Sequence, residues 1–318
     1  MSNYRAGDII RLTREYVGMS REELSDGICS PQTLYRLELG KTRVKKDLYA
    51  RLMAKMERVP EKNYAVCVGK NMELLEEREL LEDAMRDYDY EKGDEYLKKL
   101  KEKADNNLIT KQYVLKAEAL LDYYCKRSDG EETIKKLEKA IRITLPDYEK
   151  CLQKKFPFTE QEIMNLMSLA NAYAHTDKYE KAITIYRKLL ECLDMEYILG
   201  EYVEHMKMII MRNLSLAYFS IEKYEEALEL NERCLELAKV NNEGREYHIL
   251  LSDKAAIILE QIEKGERDGK DLDLVRKYLR QSYHLAAARD DEKSAKIIKE
   301  VWKKILTKKM IKIRQHQK

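Results

Sequence analysis

The sequence predicts an all-α protein in two parts, a small N-terminal helical domain followed by a longer array of stacked helix pairs. Three observations support this. Over 318 residues there are only 11 Gly and 4 Pro, so long helices joined by short turns are favoured. Apolar residues recur at helical spacing through most of the chain, and segments of the second part repeat at a fixed interval. The length suits two domains. No apolar run approaches the ~20 residues that span a bilayer, and the opening MSNYRAGD carries no signal-peptide pattern. A cytoplasmic protein with no membrane partner is expected. The formal net charge is only +2, so attraction to nucleic acid is not a property of the whole chain.

Residues 1–60 read as one domain. A first helix over 4–17 carries Ile9, Ile10 and Leu12 among its apolar positions. Ser20 and Glu23 form an S-x-x-E capping box that opens a second, short helix, and SDG stops it. Ser30 caps a third helix with Pro31 at its first position, where a missing N–H costs nothing. Leu34 and Leu37 share one face of that helix, and Gly40 ends it. Two short helices across a tight Gly-containing turn make a helix-turn-helix unit. A fourth helix from Asp47, with Leu48, Leu52, Met53 and Met56 as its stripe, closes the domain near Pro60.

The polar positions of the third helix point to double-stranded DNA. Gln32 and Arg36 offer bidentate hydrogen bonding to adenine and guanine edges, and the Thr33 methyl suits thymine. Ser30 and Tyr35 complete the set on this helix. Lys41, Arg43, Lys45 and Lys46 follow it, positioned to meet phosphates. Residues 1–60 hold 12 Lys/Arg against 8 Asp/Glu, while the remainder holds 48 against 50. The positive excess therefore lies where the third helix is.

This stretch, M-S-R-E-E-L-S … S-P-Q-T-L-Y-R-L-E-L-G, resembles the Cro/CI-type (XRE) helix-turn-helix family over residues 4–57. The resemblance implies that Arg14 on the first helix pairs with Glu38, fixing helix orientation. Arg21 replaces a Gln of the family pattern and is expected to favour phosphate. Pro31 replaces a residue that often reads a base, so Gln32 and Arg36 carry more of the specificity.

After a linker at 61–72, residues 73–318 repeat. LANAYAHTDKYEKAITIYRKLL (169–190) and LSLAYFSIEKYEEALELNERCL (214–235) place Tyr173/Tyr218, Tyr179/Tyr224 and Ala182/Ala227 each 45 residues apart. Weaker copies occur at 88–100, 129–141 and 271–283. The pattern resembles the tetratricopeptide (TPR) repeat, whose usual period is ~34 residues, so longer helices or loops absorb the difference. A TPR-like right-handed α-solenoid of about five pairs is expected. Ala182 and Ala227 mark close helix approaches, and Tyr173, Tyr179, Tyr218 and Tyr224 act as wedges between helices.

The whole chain resembles the RRNPP group of peptide-responsive regulators, in its PlcR-type form: Leu24, Ser25, Ile28, Cys29, then Tyr35, Arg36, Leu37, Glu38, Gly40. The resemblance implies a homodimer reading a palindromic operator, controlled by a short signalling peptide in the repeat groove. Asn171 and Asn213 match two groove asparagines that hold the peptide backbone, while Met167 stands where another is usual. Arg212 is placed to receive a carboxylate, and Leu216 is a further groove candidate. The alternative is a DNA-tethered TPR module that binds a protein partner. An enzyme is the weakest reading, since no Gly-rich phosphate loop, metal cluster or nucleophile motif is present, and no cofactor is expected. The six cysteines lie 26 to 58 residues apart with no C-x-x-C, which favours buried thiols. The basic run 303–318 reads as the solvated end of a capping helix.

Overall fold

The computed structural model describes residues 6–42, 44–56, 72–103, 108–156, 158–194, 202–240, 244–292, 294–300 and 302–303. Most of them are helical, and no strand occurs among them. Two compact units divide the chain, Met1–Gly200 and Glu201–Lys318. The expected linker falls outside the described residues up to residue 71, as do Arg43 and the basic run beyond residue 303.

The first unit opens with four helices: α1 (Ala6–Val17), α2 (Arg21–Ser25), α3 (Pro31–Glu38) and α4 (Lys46–Lys55). Ser20 and Glu23 form the expected capping box, and the Ser30 hydroxyl accepts from Thr33 N–H. Ile10, Leu24, Leu34, Leu37, Tyr49, Leu52, Met53 and Met56 make one core. Leu34 and Leu37 are thus drawn inward by the helical period, and the opposite face of α3 is left outside. Gly40 has φ 65°, and Lys41 N–H donates to the Arg36 carbonyl at 2.9 Å. This left-handed residue closes the end of α3.

Antiparallel helix pairs follow in chain order. In the first unit these are α5 (Met72–Arg86) with α6 (Tyr90–Lys103), α7 (Leu108–Tyr124) with α8 (Gly130–Ile141), and α10 (Glu160–His175) with α11 (Tyr179–Asp194). The short α9 (Tyr148–Gln153) lies between the last two pairs. In the second unit they are α12 (Tyr202–Ser220) with α13 (Tyr224–Val240), and α14 (Gly244–Lys264) with α15 (Leu272–Ala287). The weaker repeat copies all fall on second helices, namely α6, α8 and α15. The two clear copies differ in helix length. Helices α10 and α11 have 16 residues each, whereas α12 and α13 have 19 and 17.

One backbone device joins the members of each pair. Tyr88, Lys126, Asp177, Glu222 and Gly265 all adopt positive φ after the first helix. The next N–H reaches back to a carbonyl in the last turn: Asp89 to Ala84 at 2.9 Å, Arg127 to Asp122 at 2.7 Å, Lys178 to Tyr173 at 2.9 Å, Lys223 to Tyr218 at 2.9 Å, Glu266 to Gln261 at 2.8 Å. These are Schellman closures, which satisfy carbonyls a helix end would leave open. They explain the repeated K-Y-E: its Lys makes the closing bond and its Tyr starts the second helix.

Packing accounts for the other repeated positions. Ala182 and Ala227 are fully buried, and the Ser215 hydroxyl donates to the Ala227 carbonyl at 2.7 Å, a proximity that a larger side chain would prevent. Tyr173 is buried and donates to Glu138 Oε1 at 2.8 Å, while Tyr148 donates to the same oxygen at 3.2 Å. One carboxylate therefore ties α8, α9 and α10 together. Tyr224 is buried as expected. Tyr179 is only half-buried and donates to Asp177 Oδ1 at 2.7 Å, so it braces the turn. Cys151, Cys192 and Cys234 are buried and Cys29 and Cys125 half-buried, all free thiols. Burial pushes the Cys192 and Cys234 thiols up to about 12, which makes them poor nucleophiles.

Two stability predictions follow. Lys126 is an exposed non-glycine residue at φ 59°, where an L side chain costs roughly 1–2 kcal/mol. Lys126→Gly is expected to stabilise the protein by roughly 0.5–1 kcal/mol after the extra chain entropy of glycine, read from urea midpoints. Lys116 is buried beside Tyr113, its Nζ 5.1 Å from the ring centroid. Desolvation first, then the Arg78 charge, lowers its amine from 10.5 to about 8. Between those values the folded state binds fewer protons than the unfolded chain, so this group makes stability rise with pH there. Lys116→Met is expected to stabilise by on the order of 2 kcal/mol at pH 7, with the gain shrinking toward pH 10 in thermal unfolding.

Candidate nucleic-acid interface and repeat groove

The Glu38 carboxylate sits at the end of α3 with no exposed side-chain surface. Arg14 on α1 donates from Nε to Oε1 at 2.6 Å and from Nη2 to Oε2 at 3.3 Å. Its Nη1 also donates to the Met19 carbonyl at 3.0 Å. The pairing implied by the family resemblance is present. A second guanidinium joins it: Arg21 Nε donates to Glu38 Oε2 at 2.6 Å. An ionised carboxylate has about four acceptor positions, and Arg14 leaves room on Oε2. Arg21, expected at a phosphate, engages Glu38 through Nε while its side chain remains 38% exposed, and its guanidinium lies 5.1 Å from the Tyr35 ring centroid.

Two other features fix α3. A Cβ on Gly7 would stand 1.8 Å from the Leu37 carbonyl oxygen, so α1 approaches the backbone of α3 in a way only glycine permits. On the other side, Arg51 Nη2 donates to the Gly27 carbonyl at 2.8 Å and Lys55 Nζ to the Asp26 carbonyl at 2.6 Å. Cations one turn apart on α4 thus cap the carbonyls of the turn between α2 and α3. Neither feature was read from the sequence. The i, i+4 spacing of Arg51 and Lys55 was the available signal.

The outward face of α3 carries Gln32, Tyr35 and Arg36, all exposed, with Lys41 exposed just beyond. Ser30 and Thr33 serve the helix start: the two hydroxyls are 2.8 Å apart, and Ser30 also takes the Thr33 N–H. Leu39, which was not among the expected residues, is 44% exposed next to this face.

The expected groove residues divide between the units. Met167 and Asn171 lie on α10, both half-buried. Tyr186 donates to Asn171 Oδ1 at 2.5 Å. Asn171 also lines a cavity of about 60 Å³ with Leu120, Tyr123, Tyr124, Gly130, Thr133, Ser168, Ala172 and His175. Polar residues Thr133, Ser168, Asn171 and His175 share this wall with the aromatic rings of Tyr123 and Tyr124, in a space well below the roughly 300–1,000 Å³ of a ligand pocket. Arg212, Asn213 and Leu216 lie half-buried on α12 in the second unit. The carboxylate expected at Arg212 comes from the chain itself: Nε donates to Asp253 Oδ2 at 2.7 Å. That replaces the expected external carboxylate. The second unit also holds an open cleft of about 370 Å³ whose lining includes Glu225, Glu229, Glu232, Glu266 and Arg267.

No described helix is long and apolar enough to cross a membrane, and no described group of His, Cys, Asp and Glu forms a metal-holding cluster.

Four short N-terminal helices around one core, followed by TPR-like helix pairs, define the class of the fold. The tetratricopeptide repeat family model matches residues 161–239. Over nearly the whole length the chain is similar to PlcR of Bacillus thuringiensis in complex with the peptide PapR7 and DNA. Identity is 17%, with 92% of this chain and 98% of that one covered and a TM-score of 0.60. Apo PlcR gives 15% identity, 93% and 98% coverage, and a TM-score of 0.59. ComR from S. thermophilus, in complex with DNA and its signalling peptide ComS, gives 14% identity, 93% and 97% coverage, and 0.51. No relative among curated protein sequences matches the chain. The fold implied by the resemblance to peptide-responsive regulators is the fold observed.

Gly7→Ala forces α1 away from α3 and is expected to destabilise the N-terminal helices by roughly 1–3 kcal/mol, as overpacking does. Hydrogen exchange of α1 and α3 amides should show the loss there and leave α10–α13 protection unchanged.

Proposed function

We propose that the chain is a sequence-specific DNA-binding transcriptional regulator, dimeric on a palindromic operator and controlled by a short signalling peptide bound in its repeat groove. The observation that carries this reading is the outward face of α3. Gln32 and Arg36 stand exposed on a helix whose orientation is held from three sides, by Glu38, Gly7 and the α4 cations. A rigid helix with donors free to meet base edges is what major-groove readout requires. The fold neighbours add support, since PlcR and ComR are each described in complex with a peptide and DNA. In this reading Asn171 is a candidate peptide contact within the first unit, and Asn213 and Leu216 are candidates within the second.

One observation favours the alternative, a DNA-tethered module for a protein partner. Arg212 and Asn171 already engage Asp253 and Tyr186, so two expected clamps are not waiting for a peptide. A peptide then displaces or shares these bonds, and can shift the protein only through differential affinity for its two arrangements.

Selection of duplexes from a randomised library, with and without peptide extract of the source culture, separates the readings. Enrichment of a palindrome that depends on the extract supports peptide control. The same palindrome without dependence favours the protein-partner reading. Arg36→Ala is expected to lower operator affinity by ~1–3 kcal/mol and relax specificity at one position. Asn213→Ala is expected to leave DNA binding in place and remove the response to extract, measured by fluorescence anisotropy.

A further inference from the structure

The exposed face of α3 has two edges. Gln32 and Arg36, four residues apart, make a hydrogen-bonding edge. Tyr35 and Leu39, the residue that caps α3, are also four apart and so lie beside each other at its surface; they make an apolar one. Tyr35 is 40% exposed and Leu39 44%, whereas Leu34 and Leu37 on the other side are fully in the core. The ring of Tyr35 is held in place. Buried Glu38 fixes Arg21 through a 2.6 Å bond, and the Arg21 guanidinium packs against the Tyr35 ring, a cation–π contact that restricts it.

Apolar surface on a helix that enters the major groove meets one kind of apolar group there. Thymine alone presents a methyl group in that groove, beside the donors and acceptors of the other bases. Resting on the DNA-binding reading above, we infer that Tyr35 and Leu39 read thymine 5-methyl groups, with Arg21 as the positioning residue that holds the Tyr35 ring. Each half-site then carries thymine next to the purine that Gln32 or Arg36 recognises. The Nε bond to Glu38 and the packing against the ring give Arg21 a positioning role distinct from a phosphate contact.

The test uses the full chain and a duplex it selects from a randomised library. The selected duplex is compared with the same duplex carrying 2′-deoxyuridine for thymidine, which removes only the 5-methyl groups. Wild-type affinity is expected to fall by roughly three- to tenfold on this exchange, the order of one or two lost methyl contacts. Leu39→Ala should bind the thymidine duplex more weakly and show little further loss with deoxyuridine. Arg21→Met should also lose most of the discrimination, while its salt dependence keeps the wild-type slope. A slope reduced by about one, with discrimination intact, would make Arg21 a phosphate contact and overturn its positioning role. Equal wild-type affinity for the two duplexes overturns the thymine assignment while DNA binding stands. No enrichment of any duplex overturns the DNA reading and this inference with it. Thermal melting of both variants establishes that the loss is not unfolding.

Discussion

A single buried carboxylate organises the N-terminal helices. Glu38 ends α3 inside the protein, and two guanidiniums, from α1 and from the first residue of α2, meet it. Placing a charge there is costly unless it is paired and its remaining acceptor positions are filled. Arg14 and Arg21 do both. Because the acceptor is at the end of α3, satisfying it sets how α1 and α2 cross that helix, and so which side chains of α3 face outward. The arrangement adds orientation more than net stability. Arg21 extends it to the surface, where its guanidinium meets the Tyr35 ring.

The repeats follow a different logic. Each pair closes through a left-handed residue and a bond from the next N–H back into the first helix. The same local geometry recurs with Tyr, Lys, Asp, Glu or Gly at the left-handed position, so backbone hydrogen bonding rather than side-chain identity defines the turn. Within a pair, a buried alanine such as Ala227 allows close approach, and between neighbouring elements tyrosine phenols find acceptors such as Glu138. Stability in such arrays is a sum over neighbouring contacts.

Much of this was legible before any coordinates. Capping residues announce themselves because the backbone at a helix start needs a specific side-chain acceptor, and Ser20, Glu23 and Ser30 all act as read. The second helices of the repeats could be placed for a similar reason, since K-Y-E marks a turn with one solution. What stayed hidden depends on groups distant in sequence. Nothing local shows that Arg21 would share Glu38 with Arg14, or that Asp253, 41 residues on, would take Arg212. Gly7 looked like an ordinary residue near a helix start, and its need appears only when the Leu37 carbonyl is in place. The exposure of Leu39 carries no local signal, because an apolar residue beside the Leu34 and Leu37 stripe has the pattern of a core residue.

The central claim is that the buried carboxylate sets the face of α3 proposed to read DNA. It is tested most directly by Glu38→Gln, a change of charge with little change of shape. Binding of the full chain is compared on a selected duplex and on a scrambled one, with unfolding followed in parallel. The account predicts that the preference for the selected duplex collapses by a hundredfold or so, on the order of the cost of breaking a buried charged pair. Salt-sensitive binding to both duplexes and the unfolding of the repeat helices should remain. A Glu38→Gln protein that keeps the wild-type preference would contradict it.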